Sequence, residues 1–337
     1  MEDARSAADD LGVARLAIAS ALAEGDVGLA YRSVLALMGD GVGMGVVLEE
    51  VLAPIQRASG SRWEAGEVSV PEEHATTAAV ATLVAMLAGA FDQPPDADLV
   101  VVACAEGEDH TLPARMATAL LAYEGYRTVD LGGSVPAEDL ADYLRSVDAD
   151  ALVVSCTRPA NLPGARACVA AGHRAGVPVA VGGRAFDVDV DLWRRVGADG
   201  RVGRLSDLAE LLATWHPDPA SAEASAADVG GEAAALRDSR EAVSVAVSTG
   251  LAAASGSTPP PEVVVAAAGL VDALVAAMTF DVRTVVAEQA RWVSRLIAGR
   301  NRAVLPDAVL EALAEALPAD LPTAAAIVAE ARRPAGR

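Results

Sequence analysis

The sequence has no lysine. All 26 of its basic residues are arginine, so no side-chain amine is present to form a Schiff base with pyridoxal phosphate or retinal. A Walker-type phosphate loop would also lack its essential amine. Only three cysteines occur, Cys104, Cys156 and Cys168. Three thiols in 337 residues do not make a disulfide framework, and a reducing cytoplasm is the expected setting. Aromatic residues make up 3% of a chain that is 53% hydrophobic. Its cores must therefore be built from Ala, Val and Leu, while disorder is excluded for most of its length. Positive charge is scarce as well: against 47 acidic residues the formal net charge is −21. Such a surface repels phosphate backbones, so a nucleic-acid partner is not expected. No cationic, apolar leader opens the chain, which starts Met1-Glu2-Asp3. The longest apolar runs, Ala75–Phe91 and Val263–Phe280, are diluted by Ala and Thr, and Asp272 interrupts the second. Both read as buried bundle helices rather than membrane spans. No Ser-His-Asp arrangement or cluster of metal ligands suggests classical enzyme catalysis, and none is expected.

What is present separates by period. From Glu2 to about Phe91, Leu11, Leu16, Leu22, Leu29, Val34, Leu37, Val46, Val47, Val51 and Ile55 recur mostly at helical spacing. Gly25-Asp26 and Gly39–Gly45 punctuate them, which predicts a four-helix bundle over residues 1–92. After the break at Gln93-Pro94-Pro95-Asp96, short β-rich runs alternate with helices. Strands are expected at Leu99–Ala103, Arg127–Leu131, Ala151–Ser155, Val177–Val181 and near Gly200–Val202. That rhythm over residues 98–215 predicts a doubly wound parallel sheet, whose ligands bind beyond the carboxyl ends of the strands. Residues 216–234 are rich in Pro, Ala, Ser and Gly and read as a linker. Residues 235–337 then read as an all-helical domain.

The chemistry concentrates at one edge of the expected sheet. The run Cys104-Ala105-Glu106-Gly107-Glu108-Asp109-His110 leaves the first strand. An imidazole there faces whatever lies above the sheet, and Glu108, two residues earlier, is placed to accept its other ring N–H and fix the tautomer. A lone loop histidine usually has no task, but three features accompany this one. Ser155-Cys156-Thr157 ends the third strand with two hydroxyls, Gly182-Gly183 ends the fourth, and Leu131-Gly132-Gly133 ends the second. Small groups at that edge make a slot for a long, thin ligand approaching the backbone.

These residues resemble the cobalamin-binding domain, whose hallmark is an Asp-x-His-x-x-Gly run, a Ser-x-Thr/Leu strand end and a later Gly-Gly. The resemblance implies that His110 is the lower cobalt ligand and Glu108 its carboxylate partner. Ser155, Thr157, Gly182 and Gly183 would line the nucleotide tail. Glu108 replaces the expected Asp, and Pro113 stands in place of the final Gly. In the bundle, Trp63 is followed after nine residues by Glu73-His74. Trp63 is expected in a loop, with Glu73-His74 opening the last helix after Pro71; a buried core Trp is the plainer explanation. The Trp-x9-Glu-His run resembles the signature of CarH-type adenosylcobalamin photoreceptors. In them light breaks the cobalt–carbon bond and the bundle shifts. The resemblance implies that Trp63 packs against the adenosyl group with Glu73 and His74 nearby. That family has a His directly after this Trp, whereas here the position is Glu64. The family also begins with a winged DNA-binding domain, whereas here the bundle is expected to start at the first residues.

The C-terminal segment carries Arg291 and Arg295 one helical turn apart beside Trp292. They read either as a solvated basic face, with Glu288 pairing Arg291, or as two guanidinium groups gripping bilin propionates. The order of domains resembles the photocobilins, which pair cobalamin with non-covalent biliverdin in a globin-like domain. The expectation is therefore a cytoplasmic B12-dependent light sensor. It would use adenosylcobalamin and biliverdin, form homo-oligomers and act on an unidentified protein effector. A corrinoid carrier for methyl transfer is the alternative.

Overall fold

A computed structural model describes residues 2–215, 231–255, 261–299 and 305–333. The bundle opens with α1 (Glu2–Ala23) and α2 (Val27–Gly39), the latter capped by the Asp26 carboxylate on the Leu29 N–H. The third bundle helix is continuous but not uniform. It runs as α3 (Met44–Val46), a π-helical stretch over Val47–Leu52, and α4 (Ala53–Glu64). A capping box between Ser69 and Glu72 starts α5 (Val70–Ala88).

Five parallel strands follow: β1 (Leu99–Cys104), β2 (Arg127–Asp130), β3 (Ala151–Ser155), β4 (Val179–Gly182) and β5 (Gly200–Val202). They pair in the order β2-β1-β3-β4-β5. Between them lie α6 (Leu112–Tyr123), α7 (Ala137–Ser146), α8 (Leu162–Ala175) and the short α9 (Leu192–Arg195), with α10 (Leu208–Thr214) closing the unit. Both central strands, β1 and β3, are buried throughout, as a sheet covered on both faces requires.

Alternation along these strands feeds two different cores. Val100, Val102, Cys104 and Val153 pack with α6, α10 and the N-terminal bundle. Val101, Ala103, Leu152 and Val154 pack with α7, α8 and the C-terminal helices. The period of two in a strand thus puts the two helical domains on opposite faces of one sheet.

The C-terminal domain consists, among the described residues, of α11 (Gly231–Asp238), α12 (Arg240–Ser255), α13 (Pro261–Phe280), α14 (Thr284–Ala298), α15 (Pro306–Ala316) and α16 (Pro322–Ala331). The 18-residue window Val263–Phe280 is long and apolar enough to cross a membrane, but 67% of it is buried inside the protein as the core of this domain. Asp272, which interrupts that run, is held by Arg240 through two short hydrogen bonds.

Two expectations are corrected. Trp63 is not in a loop: α4 continues through it to Glu64, and Gly66 (φ +73°) ends the helix. The Gly66 N–H donates to the Trp63 carbonyl and the Glu67 N–H to the Arg62 carbonyl, so the stop signal is the glycine three residues beyond Trp63. The expected linker over 216–234 is shorter at its far end, because residues 231–234 are the first turn of α11; its residues 216–230 lie outside the described residues.

Close packing of α8 on the sheet depends on Gly172, where a Cβ would collide with the Val179 side chain and crowd Leu152. Gly172→Ala is expected to destabilise the chain by about 1–3 kcal/mol through overpacking. The check is a lower urea midpoint at unchanged slope.

Candidate functional site

Glu108 is fully buried beneath the carboxyl edge of the sheet. Its Oε1 accepts hydrogen bonds from the His110 backbone N–H at 3.0 Å and from His110 Nδ1 at 2.5 Å. Its Oε2 accepts from the backbone N–H groups of Thr157 at 2.8 Å and Arg158 at 2.9 Å, and from Asn161 Nδ2 at 3.0 Å. Burial pushes the Glu108 carboxyl up, but the bonds from His110, Asn161 and Arg158 outweigh it and hold the group at about 2. Glu108 is therefore ionised at neutral pH. His110 Nδ1 thus donates to it, and Nε2 is the ring nitrogen left for a ligand. The His110 side chain is 54% exposed, so that nitrogen is accessible from above the sheet.

The loop that carries His110 is fixed from several sides. The Ala105 N–H donates to the Ser155 carbonyl, and the Ser134 N–H to the Glu108 carbonyl. The Ser134 hydroxyl accepts from the Gly107 N–H at 3.1 Å. Gly107 has φ +84°, a left-handed conformation that favours glycine. Pro113 occupies the first turn of α6, where its missing N–H is harmless; the residue that departs from the expected glycine is thus used to start a helix.

Ser155 and Gly182 are partners in the β3–β4 register, so both belong to this edge. Ser155 Oγ and Thr157 Oγ1 are buried without a hydrogen-bond partner. Buried hydroxyls normally find one, and two orphans at the edge of the expected slot fit a polar ligand that completes them. Gly183 has φ +103°, and a Cβ there would collide with the Cys156 carbonyl. Burial pushes the Cys104 thiol up to about 12 and the Cys168 thiol up to about 11. Both stay protonated, and neither offers a thiolate ligand.

Among the described residues no group of three or more His, Cys, Asp or Glu side chains could hold a metal ion. One imidazole cannot retain a bare ion, but it suits a metal whose other positions a macrocycle already fills. The donor set present therefore fits a corrinoid.

In the bundle, Glu73 Oε1 accepts from Gln56 Nε2 at 3.2 Å and from the Thr77 hydroxyl at 2.7 Å, while Oε2 pairs with His74 Nδ1 at 2.8 Å. Glu73 and His74 are thus paired as neighbours on α5, and Gln56 ties Glu73 to α4. Trp63 does not join them in a bundle core; it packs against the core that contains the C-terminal helices. Glu64 accepts from Trp292 Nε1 at 2.9 Å and pairs with Arg295 Nε at 3.6 Å. Arg295 is thus engaged with the cap, and Arg291 is exposed on α14. A separate small cavity lined by Asp98, Tyr126, Asp150 and Trp215 opens at the amino ends of the strands, the edge opposite His110.

Sequence reasoning missed Asn161 and the Thr157 and Arg158 amides. Main-chain donors leave no mark in a sequence, and Asn161 stands 53 residues from the carboxylate it serves.

Residues 99–212 match the family model of the B12 binding domain, and residues 15–88 match a second model, also described as a B12 binding domain. The HTH-type transcriptional repressor CarH of Myxococcus xanthus is 38% identical over 94 residues, which cover 27% of this chain and 30% of that protein. The chain therefore matches less than a third of that relative's length. Among solved structures, a monomethylamine corrinoid protein of Methanosarcina barkeri is similar, with 20% identity and a TM-score of 0.48. The similarity covers 58% of this chain and 94% of that one. A cobalamin-binding protein of Desulfitobacterium hafniense DCB-2 has 22% identity and a TM-score of 0.33, covering 59% and 97% of the two chains.

Removing the Glu108 carboxylate leaves buried N–H donors unpaired. Glu108→Ala is expected to cost about 3–5 kcal/mol, read as a lowered urea midpoint at pH 7. The depressed folded pKa means that this stabilisation is present above the ordinary carboxylate value. It is lost as pH falls from about 4.5 towards 2, so the variant and the parent should converge in stability at the acid end of that window.

Proposed function

We propose that these B12-binding domains form a light sensor loaded with adenosylcobalamin. The observation that carries the cofactor assignment is His110, whose Nδ1 is fixed by a buried, ionised Glu108 and whose Nε2 is left accessible at the carboxyl edge. His110 Nε2 would ligate cobalt, with Glu108 holding the ring in place. Ser155 and Thr157 would supply hydroxyls to the nucleotide tail, and Gly182-Gly183 would let it approach the backbone. Adenosylcobalamin supplies the light-labile cobalt–carbon bond when bound.

The choice of light over methyl transfer rests on Trp63, Glu73 and His74, whose spacing resembles that of the CarH-type photoreceptors. The Myxococcus relative is a transcriptional repressor by its name. For this chain, with a net charge of −21, we propose a protein effector instead of DNA. A non-catalytic role, a cytoplasmic setting and assembly into homo-oligomers complete the reading. Biliverdin in a globin-like C-terminal domain has less support, because Arg295 is tied to Glu64.

The test is reconstitution with adenosylcobalamin in the dark, followed by green light. A dark spectrum of histidine-ligated cobalamin that changes on illumination is expected. His110→Ala should give the spectrum of unligated, base-off cobalamin. Glu108→Gln, which keeps the shape but not the charge, should weaken cobalamin binding by about 10–100-fold. A spectrum indifferent to light would favour the corrinoid carrier, and biliverdin that gives no red-absorbing band would remove the bilin.

A further inference from the structure

The cap bundle and the C-terminal helices lie on opposite faces of the sheet, yet they meet beside the candidate cofactor site. The bridge between them is α14. At its sixth residue, Gln289 Nε2 is buried with no hydrogen-bond partner among the described residues. It and Arg158 Nη2 lie over Gly269 of α13, where a Cβ would stand 3.1 and 2.5 Å from them. Arg158 belongs to the segment whose amides Glu108 holds, and α13 packs on Pro159–Asn161 of that same segment. Ten residues beyond Gln289, about 15 Å along a helix axis, α14 ends on α4. Before that end, Trp292 and Arg295, three and six residues beyond Gln289, both engage Glu64 of α4, the first as a donor and the second as an ion pair. The contact is main chain on main chain: a Cβ at Gly66 would collide with the Gly299 carbonyl, and a Cβ at Gly299 with the Glu64 carbonyl.

We propose that the C-terminal helical domain is a clasp across the mouth of the cofactor site, latched at Glu64, and that its docking opposes cobalamin binding. This rests on the proposed adenosylcobalamin reading, in which Trp63 would pack against the adenosyl group. In the docked state Trp63 is half-buried and packs against the core that contains the C-terminal helices. One indole cannot present the same face to that core and to an adenosyl group, so occupancy of one site weakens the other. By linkage, whatever loosens the clasp tightens cobalamin binding by the same factor. The C-terminal domain is then the element through which cofactor occupancy is signalled.

Glu64→Ala removes the latch without touching the proposed ligands. Gly299→Val forces the two main chains apart by a different route. Hydrogen exchange of α14 amides reports docking, and a visible-absorbance titration with adenosylcobalamin in the dark reports binding, all on the full chain. Faster α14 exchange in both free variants is expected, with cobalamin binding tighter by about tenfold. In the unaltered protein, α14 exchange should rise when cobalamin is added. The clasp is overturned by variants that undock yet bind cobalamin as before, by α14 exchange that cobalamin leaves unchanged, or by unaltered α14 exchange in both variants. Absence of cobalamin binding in all three proteins would instead remove the cofactor reading itself, and the clasp with it.

Discussion

One buried carboxylate organises the carboxyl edge of this sheet. Glu108 accepts from five donors that come from two strand-end loops, and the balance of burial against those bonds leaves it charged. A buried ion is tolerable only when so fully satisfied. Because His110 supplies two of the five bonds and the 157–161 segment the other three, the imidazole and the neighbouring loop cannot move independently. The orientation of the one solvent-facing ring nitrogen therefore depends on residues some fifty positions away.

The same edge depends on main chains approaching closely. Gly164 stands against the Glu106 carbonyl and Gly183 against the Cys156 carbonyl, and neither position has room for a Cβ. At the same edge Ser155 Oγ and Thr157 Oγ1 are buried without a hydrogen-bond partner. With so few aromatic residues in the chain, this edge is built from close main-chain approaches and small side chains.

Much of this was legible in the residues, and the parts that were not have identifiable causes. The strand rhythm is plain because each strand is a near-continuous apolar run between punctuated helices. The pairing of Glu108 with His110 follows from a spacing of two in a loop, a local geometry. Asn161 escaped because its role is non-local. The helical state of Trp63 turns on Gly66 and not on Pro71: the proline begins the next helix, while the glycine ends this one. Nothing in its own neighbourhood marks the role of Glu64. Its partners, Trp292 and Arg295, lie more than 220 residues away, and no local pattern links them.

The π-helical stretch at Val47–Leu52 sets the angular phase of everything after it in that helix. All four of its apolar side chains, Val47, Leu48, Val51 and Leu52, are fully buried, and Glu49 is anchored to Arg204 and the Ser206 N–H of the central domain. A π turn accommodates one residue more than an α turn, which rotates the downstream faces by about 100° relative to an unbroken α-helix. The direction in which Trp63 and Glu64 leave α4 is thus an inherited offset, equivalent to a single-residue insertion absorbed without a loop. Seen as a clockwork, the stretch is the tooth that determines whether the far end of the helix turns towards the bundle or towards the C-terminal domain.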